Sequence, residues 1–348
     1  MNGDEGMKTV LEVKNVSYSF HTYGGIVRAV RDVSFDLKKG EILGIVGESG
    51  CGKSVTAQCI LRLNPEPPGF FEQGSILYQG EDIVNKNEAQ MRKLRSDDIG
   101  FIFQDPMTSL NPTMTIGRQI EEVLIYHKEI SKSKRKQLAL DILHKVGISD
   151  AEKRYKQYPH ELSGGMKQRI MIAIALVRNP DIIIADEPTT SLDVTIEAQI
   201  LDLLKQLQQE MGTSVILITH DLGVIASMCD RVLVMYGGKI VETGTVDEVF
   251  YEFKHPYTAG LLNSIAGINT PKDTRLISIE GTPPDLFNPP AGCPFAARCR
   301  CAMEVCYKMP PKNYEISAGH ETMCWLQHES APSVDLLKEF GRGSAVNE

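Results

Sequence analysis

The chain has 348 residues, of which 42% are hydrophobic and 24% charged, and a net charge of −8. This suffices for one large domain with an appendage and a sizeable core, while the acidic balance argues against non-specific binding to nucleic acid, whose phosphates recruit basic surfaces. No run approaches the roughly 18–20 apolar residues that cross a bilayer, and Met1 to Lys8 lacks the charged-then-apolar layout of a signal peptide, so a cytoplasmic protein is expected, with any membrane spans supplied by other chains.

The first forty residues alternate apolar and polar, through Val10, Glu12, Val16 and Ser17 and then Val33 to Leu37, which predicts two or three antiparallel strands. The apolar run Ile42–Val46 has the length of a buried strand. A glycine loop and a helical pattern from Lys53 to about Leu63 follow, ended by Pro65, Pro67 and Pro68. A strand pair is expected around Ser75–Tyr78 and Ile99–Phe103. Ile116, Ile120, Val123 and Leu124, then Leu138, Ile142, Leu143 and Val146, recur at helical spacing and predict an inserted helical block. Beyond it come a helix (Met166–Val177), a buried strand (Ile182–Ala185), a helix (Ile196–Met211), a buried strand (Val215–Thr219) and a hairpin (Val232–Val241). Buried strands alternating with helices predict an α/β sheet covered on both faces. After about Gly267 proline becomes dense and the apolar periodicity fades, as in an appendage too small to build its own core without a staple.

Gly47-Glu48-Ser49-Gly50-Cys51-Gly52-Lys53-Ser54 fits G-x-x-x-x-G-K-[ST] in full, between a strand and a helix. Glycines let backbone N–H groups turn inward around phosphates, and the helix N-terminus adds the positive end of its dipole. Lys53 would reach the β- and γ-phosphates of ATP, and Ser54 would ligate Mg²⁺. The second acidic element of such a site is Asp186, at the end of the run Ile182–Ala185; it would hold the Mg²⁺ shell. Glu187 is then placed to orient or deprotonate the attacking water. With its strand and helix flanks the glycine loop points to a phosphate site by itself rather than to a plain glycine-rich corner; Asp186-Glu187 alone reads equally as a solvated acidic turn, and beside the loop it points to MgATP.

Between the two motifs lies Leu162-Ser163-Gly164-Gly165-Met166-Lys167-Gln168-Arg169, which resembles the signature sequence of ABC-type ATPases. The family's other landmarks occur in order: Gln104 resembles the Q-loop glutamine, Ser191-Leu192-Asp193 the D-loop, and His220 the switch histidine. The resemblance implies an ABC-type α/β fold, with a phosphate-loop core sheet, an antiparallel β subdomain and an inserted helical subdomain. It assigns 1–266 to the ATPase domain, with helices over about 106–178, and leaves 267–348 as a small cysteine-containing C-terminal appendage. It also implies a head-to-tail dimer, in which Ser163, Gly164 and Gly165 of a second ATPase subunit, joined by Asp193, complete the site on Gly47–Ser54. Gln104 would touch Mg²⁺ and the γ-phosphate, and His220 the γ-phosphate. Adenine would stack on Phe20 or on Tyr23. Intact Glu187 implies a competent ATPase.

The single ATPase unit and helical block resemble the separate ATP-binding subunit of a bacterial importer, peripheral on the cytoplasmic face of the membrane. Roughly Pro106 to His160 would contact two membrane permease subunits, and an extracytoplasmic peptide-binding protein would act indirectly. The tail segments His255-Pro256-Tyr257-Thr258, Gly281-Thr282-Pro283-Pro284, Cys293-Pro294-Phe295 and Arg298-Cys299 resemble the dipeptide/oligopeptide subfamily, parts of which nickel-uptake ATPases share. Cys293, Cys299, Cys306 and Cys324, spaced C-x5-C-x6-C-x17-C with Cys301 outside the pattern, suit an iron–sulfur cluster or zinc, or remain free thiols. The wide spacings favour a [4Fe–4S] cluster, and the resemblance points the same way. A soluble ABC ATPase acting on nucleic acid, or a redox sensor, is the competing class. A second ATPase unit or a long coiled coil would mark the former, and neither occurs.

Overall fold

A computed structural model describes residues 8–125, 129–190, 193–264 and 279–339. Its strands, in chain order, are β1 (Thr9–Thr22), β2 (Gly25–Lys38), β3 (Ile42–Val46), β4 (Gly69–Tyr78), β5 (Glu81–Asp82), β6 (Ile99–Ile102), β7 (Ile182–Asp186), β8 (Ser214–Ile218), β9 (Arg231–Tyr236), β10 (Lys239–Thr245), β11 (Tyr314–Ser317) and β12 (His320–Thr322). The chain divides into two compact units, one of residues 1–11, 37–42 and 78–218, the other of 12–36, 43–77 and 219–348.

In the first unit β7 lies between β6 and β8, and both pairings are parallel. β7 and β8 are buried at every residue, which is why they read as unbroken apolar runs rather than as alternations. The helix Gly164–Leu176 presses on β6 so closely that a Cβ at Gly100 would lie 2.6 Å from the carbonyl oxygen of Ala175. The helices Ile116–Ile125 and Lys132–Lys145 bury Ile116, Ile120 and Leu124 and then Ala139, Ile142 and Leu143. Ile116, Ile120, Leu124, Ile142 and Leu143 lie on the face expected from their spacing, whereas Val123 and Leu138 are half-buried and Ala139 is buried in addition. The expected strand pair does not form: β4 neighbours β1, whereas β6 neighbours β7. The helix Glu88–Asp97 precedes β6, so β6 enters as a parallel strand rather than as a hairpin partner of β4.

In the second unit β2, β1 and β4 form one sheet, and β3 runs parallel to β9 with Leu43 opposite Arg231 and Val46 opposite Val234. β9 turns back into β10, β10 pairs antiparallel with β12, and β12 with β11. The C-terminal segment is therefore not a freestanding appendage. Its hairpin extends the sheet, and Cys293, Phe295, Ala296, Cys306 and Met323 share one core with Val232, Val234, Tyr236, Phe253 and Tyr257. A proline-rich stretch poor in apolar periodicity finds its core by joining an existing one. The expected boundary at 266/267 lies outside the described residues.

Glu242 ties this arrangement together. It is 1% exposed, and its carboxylate accepts from the backbone N–H groups of Lys254 and His255 and meets His320 Nε2 at 3.1 Å. His255 in turn caps the helix Pro256–Asn263, its Nδ1 accepting from the Tyr257 N–H at 3.0 Å. Burial pushes the His255 pKa down to about 3, so the ring stays neutral. Glu242→Ala would leave one buried and one half-buried N–H group and the His320 ring without their acceptor, at a cost of about 3 kcal/mol. Denaturant midpoints check this, with Glu304→Ala as the control: its pair with Lys308 is exposed and its removal leaves the midpoint in place.

Candidate functional site

β3 delivers the loop Gly47–Gly52 to the helix Lys53–Ile60. Two glycines are required there on steric grounds. At Gly47 (φ 150) a Cβ would lie 2.2 Å from the Met235 carbonyl oxygen, and at Gly52 (φ 99) it would lie 2.4 Å from that of Ala29. Lys53 is 5% exposed, and its Nζ folds back to donate to the carbonyls of Gly47 (2.7 Å) and Glu48 (3.1 Å). No acidic residue occupies the first turn of the helix, whose second residue is Ser54. The helix dipole therefore stays available to an anion. Cys51 is buried, and burial pushes its thiol pKa up. Ser49 and Gly50 face outward.

Phe20 is half-buried near the end of β1, edge-on to Tyr18 with ring centroids 5.3 Å apart. Tyr23, in the β1–β2 turn, is fully exposed. Of the two, Tyr23 is the ring with a free face. His220 is exposed just after β8, and the following Asp221 caps the helix Leu222–Met228 by accepting from the Gly223 N–H at 2.7 Å.

In the other unit, Asp186 ends β7 and is 4% exposed. Glu187 takes a left-handed backbone (φ 45), and its N–H donates to the Ile218 carbonyl at 2.9 Å. One carboxylate oxygen of Glu187 accepts from both Gln104 Nε2 and Thr190 Oγ1, each at 2.9 Å. Two residues singled out separately in the sequence are thus in contact. Ser163 caps the helix Gly164–Leu176 and accepts from the Met166 N–H at 3.4 Å. Ser163 and Gly164 are exposed, while Gly165 packs on Ile196, where a Cβ would lie 2.8 Å from that side chain. Asp193 is exposed and caps the helix Val194–Met211 through the Ile196 N–H at 3.0 Å. Ser191 and Leu192 lie outside the described residues.

The structure adds residues that motif reading did not single out for the nucleotide loop. Arg298 makes a two-pronged ion pair with Glu48, at 2.6 and 3.0 Å. Tyr257 accepts the backbone N–H of Glu48 at 2.8 Å through its hydroxyl. The Arg28 N–H donates to the Leu286 carbonyl at 2.9 Å, and Phe287 lies against Gly24. The available signal was an acidic residue inside an anion-binding loop, which calls for a cation nearby.

The cysteines come together as well. The Cys293 N–H donates to the Cys306 carbonyl at 2.7 Å, and Cys306 Sγ accepts from the Met303 N–H at 3.4 Å. Burial pushes Cys293 up to about 11, Cys299 up to about 12, and Cys324 higher still; each is also raised by the charge of others in the set. All four are free thiols, as is Cys301. The donor chemistry fits a metal cluster, but among the described residues no group of three or more His, Cys, Asp or Glu side chains is arranged to hold a metal ion. The four cysteines expected to hold a cluster therefore share one neighbourhood without forming a closed coordination geometry.

Residues 30–190 match the ABC transporter family, and residues 241–306 match the C-terminal region of oligopeptide/dipeptide transporters. The chain is 56% identical over 326 residues to the oligopeptide transport ATP-binding protein OppD of Bacillus subtilis (strain 168), covering 94% of this chain and 91% of that one. It is 54% identical over 330 residues to the dipeptide transport ATP-binding protein DppD of the same organism, covering 95% and 98%. Among solved structures, the ATP-binding cassette MJ0796, a dimer in a post-hydrolysis state with ADP and Pi, matches with a TM-score of 0.61 and 31% identity over 68% of this chain and 98% of that one. No helix among the described residues is long and apolar enough to cross a membrane. With its fold shared with an ABC cassette and its similarity running through the tail, the chain belongs to the ATP-hydrolysing ABC transporter ATP-binding proteins of the oligopeptide and dipeptide type.

Proposed function

We propose that the chain is the ATP-hydrolysing subunit that powers import of di- or oligopeptides through a membrane ABC transporter, from the cytoplasmic face. The observation that carries this reading is the similarity to peptide-transport ATP-binding proteins along 94% of the chain, including the C-terminal region. Two permease subunits and, indirectly, an extracytoplasmic peptide-binding protein are its partners. A second ATPase subunit, identical or related, completes each site. The outward-facing Ser163–Gly164 turn at a helix N-terminus supports this, as does the dimer formed by the similar cassette. The tagged chain, purified from its own cells, should bring down two polytopic membrane proteins and show ATPase activity stimulated by peptide-loaded binding protein. A soluble complex without them would favour the non-transport class.

The residue roles we propose rest on charge and position. Backbone donors of Gly47–Ser54 hold the phosphates, and Lys53 exchanges its loop carbonyls for the β- and γ-phosphates. Ser54, Gln104 and Asp186 are the Mg²⁺ residues, and bound Mg²⁺ would neutralise charge on the phosphate oxygens. Glu187 orients and deprotonates water, His220 faces the γ-phosphate, and Tyr23, ahead of Phe20, stacks on adenine. One Glu187 oxygen is tied up by two donors, Gln104 Nε2 and Thr190 Oγ1. Withdrawing Gln104 toward the nucleotide would release it. Glu187→Gln is expected to bind ATP and stay dimerised while turnover falls about 100-fold or more, the usual scale for losing a general base. Single-turnover assays beside size-exclusion chromatography check this, and unaltered turnover removes Glu187 from the role.

For the tail we propose that Cys293, Cys299, Cys306 and Cys324 close around a [4Fe–4S] cluster, with Zn²⁺ as the alternative. What supports this is four thiols gathered in one neighbourhood, each of three held protonated by burial unless a cation compensates. Protein purified without air should be brown, with absorbance near about 400 nm. Colourless protein with stoichiometric zinc would replace the cluster, and protein with neither would leave free thiols.

A further inference from the structure

Glu48 presents a problem of charge. It stands in the second position of a loop whose backbone and lysine are arranged for phosphates, where a carboxylate repels the ligand. The structure supplies the answer from 250 residues away in sequence.

The Arg298 side chain is 5% exposed, and every N–H of its guanidinium is used. Nη1 donates to Glu48 Oε2 at 2.6 Å and to the Tyr236 hydroxyl at 3.1 Å; Nη2 donates to Glu48 Oε1 and to the Ile279 carbonyl, both at 3.0 Å. Nε donates to the Glu280 carbonyl at 2.9 Å. The fork is thus fixed by three tail and sheet partners before it meets the carboxylate, a geometry that only arginine provides. Glu48 is also held through its main chain, since its N–H donates to the hydroxyl of Tyr257. Tyr257 is fully buried and packs against Tyr236 and Phe295, with ring centroids 4.5 and 5.3 Å away.

We propose that Arg298 is a positioning residue of the nucleotide site: it neutralises Glu48 and fixes the entrance of the loop, so that the cysteine-bearing tail belongs to the nucleotide-binding machinery. The proposal rests on reading Gly47–Ser54 as the nucleotide loop, and it holds whichever occupant the cysteines take. A bridge that merely fastens the tail would make a different set of predictions. In that case removing either partner loosens the tail alike, and removing both is no better than removing one. If Arg298 acts by neutralising Glu48, removing the carboxylate rescues the loss of the arginine.

The test is titration of the full chain with a fluorescent ATP analogue, with circular dichroism and melting curves to verify the fold of each variant. Arg298→Ala is expected to raise Kd about tenfold or more, equivalent to ~1.4 kcal/mol. Adding Glu48→Gln to it should restore binding, and Glu48→Gln alone should bind at least as tightly as the natural chain. Natural affinity in folded Arg298→Ala overturns the proposal, and so does a double variant as weak as the single one. If Arg298→Ala does not fold, Glu48→Gln alone decides: weaker binding by that variant is contrary to the proposal. Failure of the natural chain to bind the analogue would instead strike at the reading of the loop.

Discussion

The loop Gly47–Gly52 closes only because two of its positions lack a Cβ. Met235 presents its carbonyl to Gly47 and Ala29 presents its own to Gly52, at distances no side chain could tolerate. The loop is therefore seated between β9 and β2, and its shape is inherited from them. β9 carries much of the rest: β3 takes its parallel register from it, β10 folds back on it, and β10 receives the tail hairpin. A change in β9 would reach the loop and the tail alike. The Tyr236 side chain, one residue from Met235, illustrates this by accepting from Arg298.

That arrangement explains why a weakly apolar tail is ordered where it is described. Its own residues supply few large side chains, but Phe295 and Met323 enter a core already formed by Val232, Val234 and Tyr257. The Glu242 carboxylate meets the tail through His320, and a buried charge leaves that hairpin few other placements. Core sharing of this kind lowers the need for a metal to hold the tail in place. A cluster, if bound, then acts on a segment that is already docked.

What the sequence made legible was local. Gly47–Ser54, Ser163–Gly165, Asp186–Glu187 and His220 each sit where a strand ends or a helix begins, so consecutive residues carry both the fold signal and the proposed roles. β7 and β8 were readable because parallel strands buried on both faces cannot hide their composition. The pairing of β4 with β1, rather than with β6, was not readable. A four-residue strand such as β6 carries too little pattern to choose a neighbour. The Arg298–Glu48 pair was beyond reach for a related reason. No periodicity joins residues 250 apart, and only the unusual acid inside a phosphate loop hinted that a cation must be supplied.

The loop's internal hydrogen bonds also bear on which ligand it selects. Lys53 Nζ is satisfied by the carbonyls of Gly47 and Glu48, and the Glu48 N–H by Tyr257. Binding at the lysine is thus an exchange rather than a simple gain. A neutral acceptor offers Lys53 little beyond what the carbonyls already give, since one ammonium-to-oxygen hydrogen bond replaces another. An anion adds the attraction of opposite charges to the hydrogen bond, in a site that is 5% exposed and poorly screened. On the proposed reading of the loop, selection for phosphate over neutral ligands follows from that difference. It holds only while the one carboxylate in the loop is held by Arg298, because an uncompensated Glu48 would subtract from the gain on which selection depends.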